Sequence, residues 1–263
     1  MAVFVFLFYL AAGLLFSLAM VRLGEEGRTF LLFNGALALA LGATALTLRA
    51  VGPTRLGFGT GVALSPLTLA FGGLALGLLS LYLVVGARGH DRRGALRAAA
   101  LAALVAVASD AASLHAQSAT LRHVLNAVTS AWFAGAILLA MVLGHFYLVI
   151  PRLSIAPLRA LFLFSLAALI ARIVLVGLTG ALWWSNDGSH AITIGSFLNR
   201  GVFVMQRLLF GLVIPASLAW ITWKTIEMRS TQSATGILYV VVFLTLVGEA
   251  LSVYLSLETS LPL

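Results

Sequence analysis

Long apolar stretches separated by short polar segments dominate the chain. Each stretch contains about 20 residues or more, the length that an α-helix needs to cross the hydrocarbon core of a bilayer. Eight such spans are predicted, over about 2–21, 29–51, 62–87, 97–117, 124–150, 156–184, 198–224 and 235–257. We therefore expect an all-α fold, a polytopic transmembrane helical bundle that forms a single integral membrane domain over residues 1–263.

The composition agrees with this expectation and excludes several classes of function. Hydrophobic residues make up 62% of the chain and charged residues 9%, whereas a soluble domain has about 25% charged residues. The predicted loops are too short for an aqueous domain. Because the chain has no cysteine, disulfides, thiolate metal sites, iron–sulfur ligation and cysteine nucleophiles are excluded.

The formal charge of +8 comes from fifteen arginines and a single lysine. In a membrane protein such a charge indicates basic loops rather than nucleic-acid binding. Ten of these cations lie in the loops after spans one, three, five and seven, and four in the other loops and span edges. By the positive-inside rule the first set is cytoplasmic, so both termini are predicted on the outer side. The Arg-, Ala-, Leu- and Gly-rich composition indicates a GC-rich bacterial genome and hence a multi-pass protein of the bacterial inner membrane, in contact with lipid.

Four ionisable residues interrupt the apolar spans: Asp110, Arg172, Arg207 and Glu249. Each costs at least roughly 2.5–3.5 kcal/mol in a membrane, so such residues have partners and mark candidate sites. At about 1.5 Å per residue, all four lie roughly 10–18 Å below the predicted outer surface. We expect one polar cluster with salt bridges among the four, and leave open which cation meets which anion. The alternative is a compensated packing device without a site.

A quinone site needs an apolar slot, a donor to each carbonyl and a carboxylate or histidine that moves protons. The candidates for a quinone or proton site on the outer side are Asp110, Arg172, Arg207, Glu249, His115 and His123. A second candidate site, near the inner end of the fifth span, consists of His145 and Tyr147. No two histidines have the spacing of a chelating pair, so haem b is the weaker alternative, and no metal site is predicted.

Three local features carry further expectations. Glycines four residues apart, Gly57 with Gly61 and Gly73 with Gly77, are typical of close helix packing in membranes. Pro215 predicts an irregularity in the seventh span. Partner subunits are expected to dock on short polar surfaces, at residues 90–97 or 224–236.

The last two spans resemble the membrane-anchor subunits of dimethyl-sulfoxide-reductase-type and polysulfide-reductase-type complexes. The likeness rests on eight spans with outward termini, on Arg207 early in span seven, and on Val-Gly-Glu-Ala-Leu at 247–251 followed by Tyr254. It implies a quinone-linked anchor that works with an iron–sulfur subunit and a molybdenum subunit. The second span carries no histidine, where those anchors place a quinone-binding one, so the resemblance identifies no quinone ligand.

Our leading hypothesis is a membrane-embedded subunit of a bacterial electron-transfer complex that anchors redox partners and binds quinone or relays protons. A small-solute or ion secondary transporter is the main alternative, although the chain shows no four-plus-four repeat. A structural or assembly protein is the third. The His-Glu-x-x-His and Gly-x-Ser-x-Gly motifs of intramembrane hydrolases do not occur.

Overall fold

The computed structural model describes residues 2–23, 27–55, 64–88, 93–115, 120–149, 154–186 and 201–259. It confirms the predicted helical bundle, because eight of its helices are long and apolar enough to cross a membrane. The helices are α1 (Ala2–Met20), α2 (Arg28–Arg55), α3 (Pro66–Ala87), α4 (Arg93–Leu114), α5 (Thr120–Val149), α6 (Ala156–Asn186), α7 (Val202–Glu227) and α8 (Thr231–Thr259).

Short connections make most neighbouring helices antiparallel, so α1 begins and α8 ends at the same end of the bundle, which we call the terminal end. Helix α5 is central and packs against α1, α4, α6 and α8. Helices α2 and α3 flank α1 and α4 on one side, and α7 lies on the other side against α8. Helices α1 and α5 therefore separate the α2–α4 side of the bundle from the α6–α8 side. The predicted orientation of the terminal end across the membrane stays a prediction.

Helices α1 and α5 cross with their backbones in direct contact. A Cβ placed on Gly13 would overlap the backbone of Ala131, and one placed on Gly135 would overlap the backbone of Gly13. Small residues permit this approach, which strengthens dispersion contacts between membrane helices. The prediction that Gly73 and Gly77 form such a contact is wrong for this chain's own packing, since neither faces any described neighbour. Gly57 and Gly61 lie outside the described residues.

Helix α7 changes its winding in the middle. An α-helical part, Val202–Leu208, is followed by a π-helical segment, Leu209–Val213, and a second α-helical part, Ile214–Glu227. Pro215 has no backbone N–H to donate to the preceding turn, and the π-helical segment accommodates that loss. The irregularity predicted at Pro215 therefore takes the form of a π-helical turn, which lies directly after Arg207.

Arginines at the end opposite the terminal end cap helices. Arg28 donates to the carbonyls of Gly86 (2.5 Å) and Ala87 (2.8 Å) at the end of α3, and Arg93 donates to the carbonyl of Leu23 (2.9 Å). The bonds from Arg28 satisfy carbonyl groups that α3 leaves unpaired at its C-terminus, whereas the bond from Arg93 fixes the segment that follows α1. Within the first predicted docking surface, residues 90–92 lie outside the described part of the chain. The second, 224–236, contains the exposed Lys224–Glu227 ion pair at 3.1 Å.

Candidate functional site

Glu249 on α8 and Arg172 on α6 form a two-point ion pair inside the bundle. Arg172 Nε lies 3.3 Å from Glu249 Oε1, and Arg172 Nη2 lies 2.7 Å from Glu249 Oε2. Both side chains are fully buried. The planar guanidinium fits the carboxylate with two parallel N–H bonds, which is the strongest geometry such a pair adopts. The predicted contact between these two spans is therefore present.

The other N–H groups of Arg172 donate hydrogen bonds to residues of α5 and α8. Arg172 Nη1 donates to the side-chain carbonyl of Asn126, and lies 3.2 Å from that residue's backbone carbonyl. Arg172 Nη2 also donates to Ser252 Oγ at 3.0 Å. Arg172 on α6 thus contacts both α5 and α8. These hydrogen bonds replace the water that would solvate an exposed guanidinium.

Arg207 on α7 approaches the same carboxylate from the other side. Its Nη2 lies 3.2 Å from Glu249 Oε1, and the side chain is fully buried. None of its three nitrogens makes a well-aligned hydrogen bond within the described structure. We call Arg172, Glu249 and Arg207 the Glu249 triad.

Two glycines make room for the Arg207 guanidinium between α7 and α8. A Cβ on Gly211, one turn after Arg207, would overlap Arg207 Nη1 and lie 3.2 Å from Gly248 Cα. A Cβ on Gly248 would overlap the backbone of Gly211 in return. The π-helical segment contains Gly211, so the irregular turn and the triad belong to one local arrangement, as is common for π-helical turns at functional sites.

Asp110 does not join this cluster, which corrects the predicted four-residue network. Its Oδ1 lies 3.4 Å from Arg49 Nη2 on α2, and both side chains are buried. Helix α4 packs against α1, α3 and α5, so α1 and α5 separate Asp110 from the triad. The sequence predicts that span two ends at residue 51, before Gly52 and Pro53, which places Arg49 at its edge, but α2 continues to Arg55. This continuation places Arg49 within the bundle at the depth of Asp110.

His115 and His123 meet at the terminal end, although they come from different helical segments. Their rings stack in parallel, with centroids 3.7 Å apart and planes 9° from parallel. Ser256 Oγ on α8 lies 3.2 Å from His115 Nε2 and 3.3 Å from His123 Nδ1. A hydroxyl donates one hydrogen bond and accepts others. This His115–Ser256–His123 relay can therefore pass a proton from one ring to the other.

A small cavity of about 10 Å³ lies beside the relay and has a mixed polar and apolar lining. This is room for about one water molecule. Its polar lining consists of Tyr9, His115, His123, Asn126, Ser130 and Ser256. Asn126 lines the cavity and also accepts from Arg172, so the cavity connects the relay to the triad through one side chain.

Burial of the relay predicts a pH-dependent stability. Desolvation lowers the pKa of His115 from its ordinary value of 6.5, because the charged ring loses its hydration. The unfolded chain then binds a proton here at higher pH than the folded chain, so His115 contributes stability above about pH 6.5 that is lost as the pH falls through the lowered pKa. We expect Tm to fall more between pH 7 and pH 5 in the wild type than in His115→Gln, measured by tryptophan fluorescence.

His145→Gln is the matched control, because His145 is exposed and should leave the wild-type slope intact. Parallel Tm curves for wild type and His115→Gln would contradict the assignment.

His145 and Tyr147 do not form one site. Tyr147 is buried and donates its hydroxyl to the carbonyl of Ser154, whereas His145 is exposed and its Nδ1 lies 3.1 Å from the hydroxyl of Tyr239. Residues two apart on a helix point to different sides, which the grouping by sequence proximity ignored. Tyr239 was not predicted as a partner of His145. Its position eight residues after the start of α8 indicates its depth in the bundle but does not indicate which helix it faces.

Neither haem nor a resident metal fits the stacked rings of His115 and His123. A bis-histidine haem needs two ring nitrogens on opposite faces of the porphyrin, whereas these rings stack 3.7 Å apart and turn their nitrogens toward Ser256. Within the described ranges, no three His, Asp or Glu side chains are grouped so as to hold a metal ion. No protein-family model matches the chain and no curated protein matches its sequence, so its function is inferred from the site itself.

Proposed function

We propose that the chain is a quinone-linked, membrane-embedded subunit of a bacterial electron-transfer complex in the inner membrane. The observation that carries this proposal is the set of unused N–H groups on buried Arg207. Arg207 belongs to a triad whose Arg172 contacts Asn126, and Asn126 lines the cavity beside the proton relay. Reduction of a quinone takes up two electrons and two protons. A site for it therefore needs a hydrogen-bond donor to a carbonyl oxygen and a titratable group within reach, and the chain offers both.

Each residue has a distinct part in this proposal. Glu249 contacts both guanidinium groups and holds them at one point in the bundle. Arg172 is fixed by Asn126 and Ser252 and keeps Glu249 in place. Arg207 has donors left over, and it is the residue that would hold a carbonyl oxygen. Water in the cavity would extend the His115–Ser256–His123 relay toward Asn126, the cavity side chain that also contacts Arg172.

Lateral entry from the lipid fits the exposure pattern around Arg207. Its neighbours on α7, among them Met205, Leu208 and Leu209, are exposed apolar side chains that face outward from the bundle. Three internal cavities measure about 10 to 20 Å³, far below the roughly 300 Å³ of a typical ligand pocket. A lipid-soluble carrier would therefore reach Arg207 by displacing the peripheral α7, and its ring would lie between α7 and its neighbours.

Partner subunits would supply the electrons in this proposal. The resemblance of the last two spans to quinone-linked anchors supports partners that carry iron–sulfur and molybdenum centres. The Arg207 and Glu249 that carry this resemblance are the same residues that meet in the triad. The short polar segments 90–97 and 224–236 remain the proposed docking surfaces.

Purification from the native membrane tests this proposal. We expect redox subunits and a quinone to co-purify, identified by mass spectrometry alongside an optical spectrum. In the isolated complex, Arg207→Gln should lower quinol-linked turnover at least tenfold, because a lost charge-assisted donor costs about 1.5–3 kcal/mol. Arg159→Gln, which removes an exposed cation outside the proposed docking surfaces, is the control. A colourless, solitary protein without quinone, or unchanged turnover in an assembled Arg207→Gln complex, would refute the proposal.

A secondary transporter is the second candidate, because the triad has two cations and one anion and so favours an anionic solute. Uptake by the purified chain alone in liposomes would support transport over electron transfer. A chain without a site predicts instead that triad substitutions alter stability and leave both turnover and uptake intact.

A further inference from the structure

The charges of the buried ionised side chains do not sum to zero over the residues that the structure describes. Among the described residues, Arg49 and Asp110 compensate each other, whereas the Glu249 triad has two guanidinium groups and one carboxylate. All three triad side chains are fully buried. One positive charge is therefore left over inside the bundle, where the low dielectric makes an uncompensated charge costly.

The surplus charge and the unused hydrogen-bond donors belong to the same residue. Arg172 donates to Glu249, Asn126 and Ser252. Arg207 has one ion-pair contact, and its Nε, Nη1 and Nη2 lack hydrogen-bond acceptors in the described structure. A buried guanidinium with five N–H groups normally satisfies them. The unused N–H donors of Arg207 indicate a missing hydrogen-bond acceptor, and the surplus positive charge indicates that this acceptor is negatively charged.

The surroundings of Arg207 suit a compact ligand. Gly211 and Gly248 present no side chain to the guanidinium, so a ligand between α7 and α8 meets backbone and the triad. Thr245, one turn before Glu249 on the same face of α8, is also buried, and its hydroxyl has no hydrogen-bond partner among the described residues. The Arg207 guanidinium is fully buried in this structure. Entry of an anion therefore requires a small outward displacement of α7, whose π-helical turn lies beside the guanidinium.

We propose that Arg207 binds a small monovalent anion, a halide or a small oxyanion such as nitrate or formate. One negative charge makes the buried triad neutral, whereas a divalent anion would leave an opposite surplus. The planar guanidinium matches the geometry of an oxyanion with two parallel N–H bonds. This site stands on charge and hydrogen bonding, and it does not depend on the proposed role in electron transfer.

Thermal unfolding of the purified full-length chain in detergent tests this proposal. Gluconate is replaced stepwise by chloride, nitrate or formate at constant ionic strength, with sulfate as the divalent comparison. We expect a saturable rise in Tm of about 5 °C with the small monovalent anions and a smaller rise with sulfate. Arg207→Gln removes the surplus charge, replaces the guanidinium by a shorter neutral amide, and leaves the Arg172–Glu249 pair, so its Tm should not respond. Lys224→Gln should respond as the wild type does.

Calorimetric titration of the wild type with nitrate, repeated in chloride, is the second measurement and does not depend on any variant folding. One nitrate per chain that chloride displaces would support the site. A wild type without saturable binding, or an equal Tm response in Arg207→Gln, would overturn it. Quinol-linked turnover is a separate readout, so the anion site and the proposed function can fail independently.

Discussion

Glu249→Gln is expected to destabilise the folded protein by about 3 to 5 kcal/mol, because it leaves two buried guanidinium groups without a counter-charge. Both arginines lie within 3.2 Å of the carboxylate oxygens at their closest approach. A neutral amide can accept one N–H bond, but it cannot compensate either charge. Thermal unfolding in detergent and the yield of monodisperse protein measure the effect.

A control variant and a double variant test whether the loss of stability comes from the uncompensated charges. Glu227→Gln removes a carboxylate of the exposed pair with Lys224 and should leave Tm unchanged, because water solvates the lysine that remains. The double variant Glu249→Gln with Arg207→Gln removes one of the two orphaned charges and should recover part of the lost stability. A wild-type Tm for Glu249→Gln, or a double variant less stable than Glu249→Gln, would mean that the three charges do not act on one another.

The bundle was predictable from the sequence because hydropathy is a local property of each segment. The eight spans match the eight helices to within a few residues, for example 156–184 against Ala156–Asn186. The depth of Arg172, Arg207 and Glu249 was predictable as well, since rise per residue and span direction fix it. That common depth is the reason why the contact among these three could be expected without knowledge of the packing.

Lateral neighbours were not predictable, because hydropathy does not state which helices touch. Asp110 shares the depth of Glu249, yet α1 and α5 stand between them, and Arg49 is its partner instead. The Gly52-Pro53 pair hid that partner by suggesting an earlier end to span two. The meeting of His115 and His123 depends in the same way on how α4 and α5 pack, and the sequence indicated no more than that both lie near one end.

The contact between α1 and α5 also shows that the sequence does not identify which helices are neighbours. Gly13 and Ser17 are small residues four apart on α1, and Ala131 and Gly135 are small residues four apart on α5. Both helices therefore carry the spacing that permits a close crossing. The more conspicuous Gly73–Gly77 spacing instead faces outward. Spacing of small residues thus indicates a possible contact face, but it does not identify which helix lies there.

Gly135→Val is expected to lower the stability of the bundle by about 3 kcal/mol or more, because the new side chain must overlap the backbone of Gly13 and Leu14. A flexible side chain could move away, but a helix backbone cannot yield without separating α1 from α5. Both helices are central to the packing, so the displacement should spread. Asn126 lies on α5 as well, and loss of its contact with Arg172 would weaken the Glu249 triad.

Gly73→Val is the matched control, since it introduces the same residue into a membrane helix at a position with open space around it. We expect a fall in Tm of about 10 °C or more for Gly135→Val and little change for Gly73→Val, measured side by side in the same detergent. Gly13→Val should behave as Gly135→Val does, because the two glycines face each other across one contact. Equal Tm values for Gly135→Val and Gly73→Val would show that α1 and α5 do not cross at this point. The separation of Asp110 from the Glu249 triad would then lose its structural basis, because it rests on α1 and α5 lying together between them.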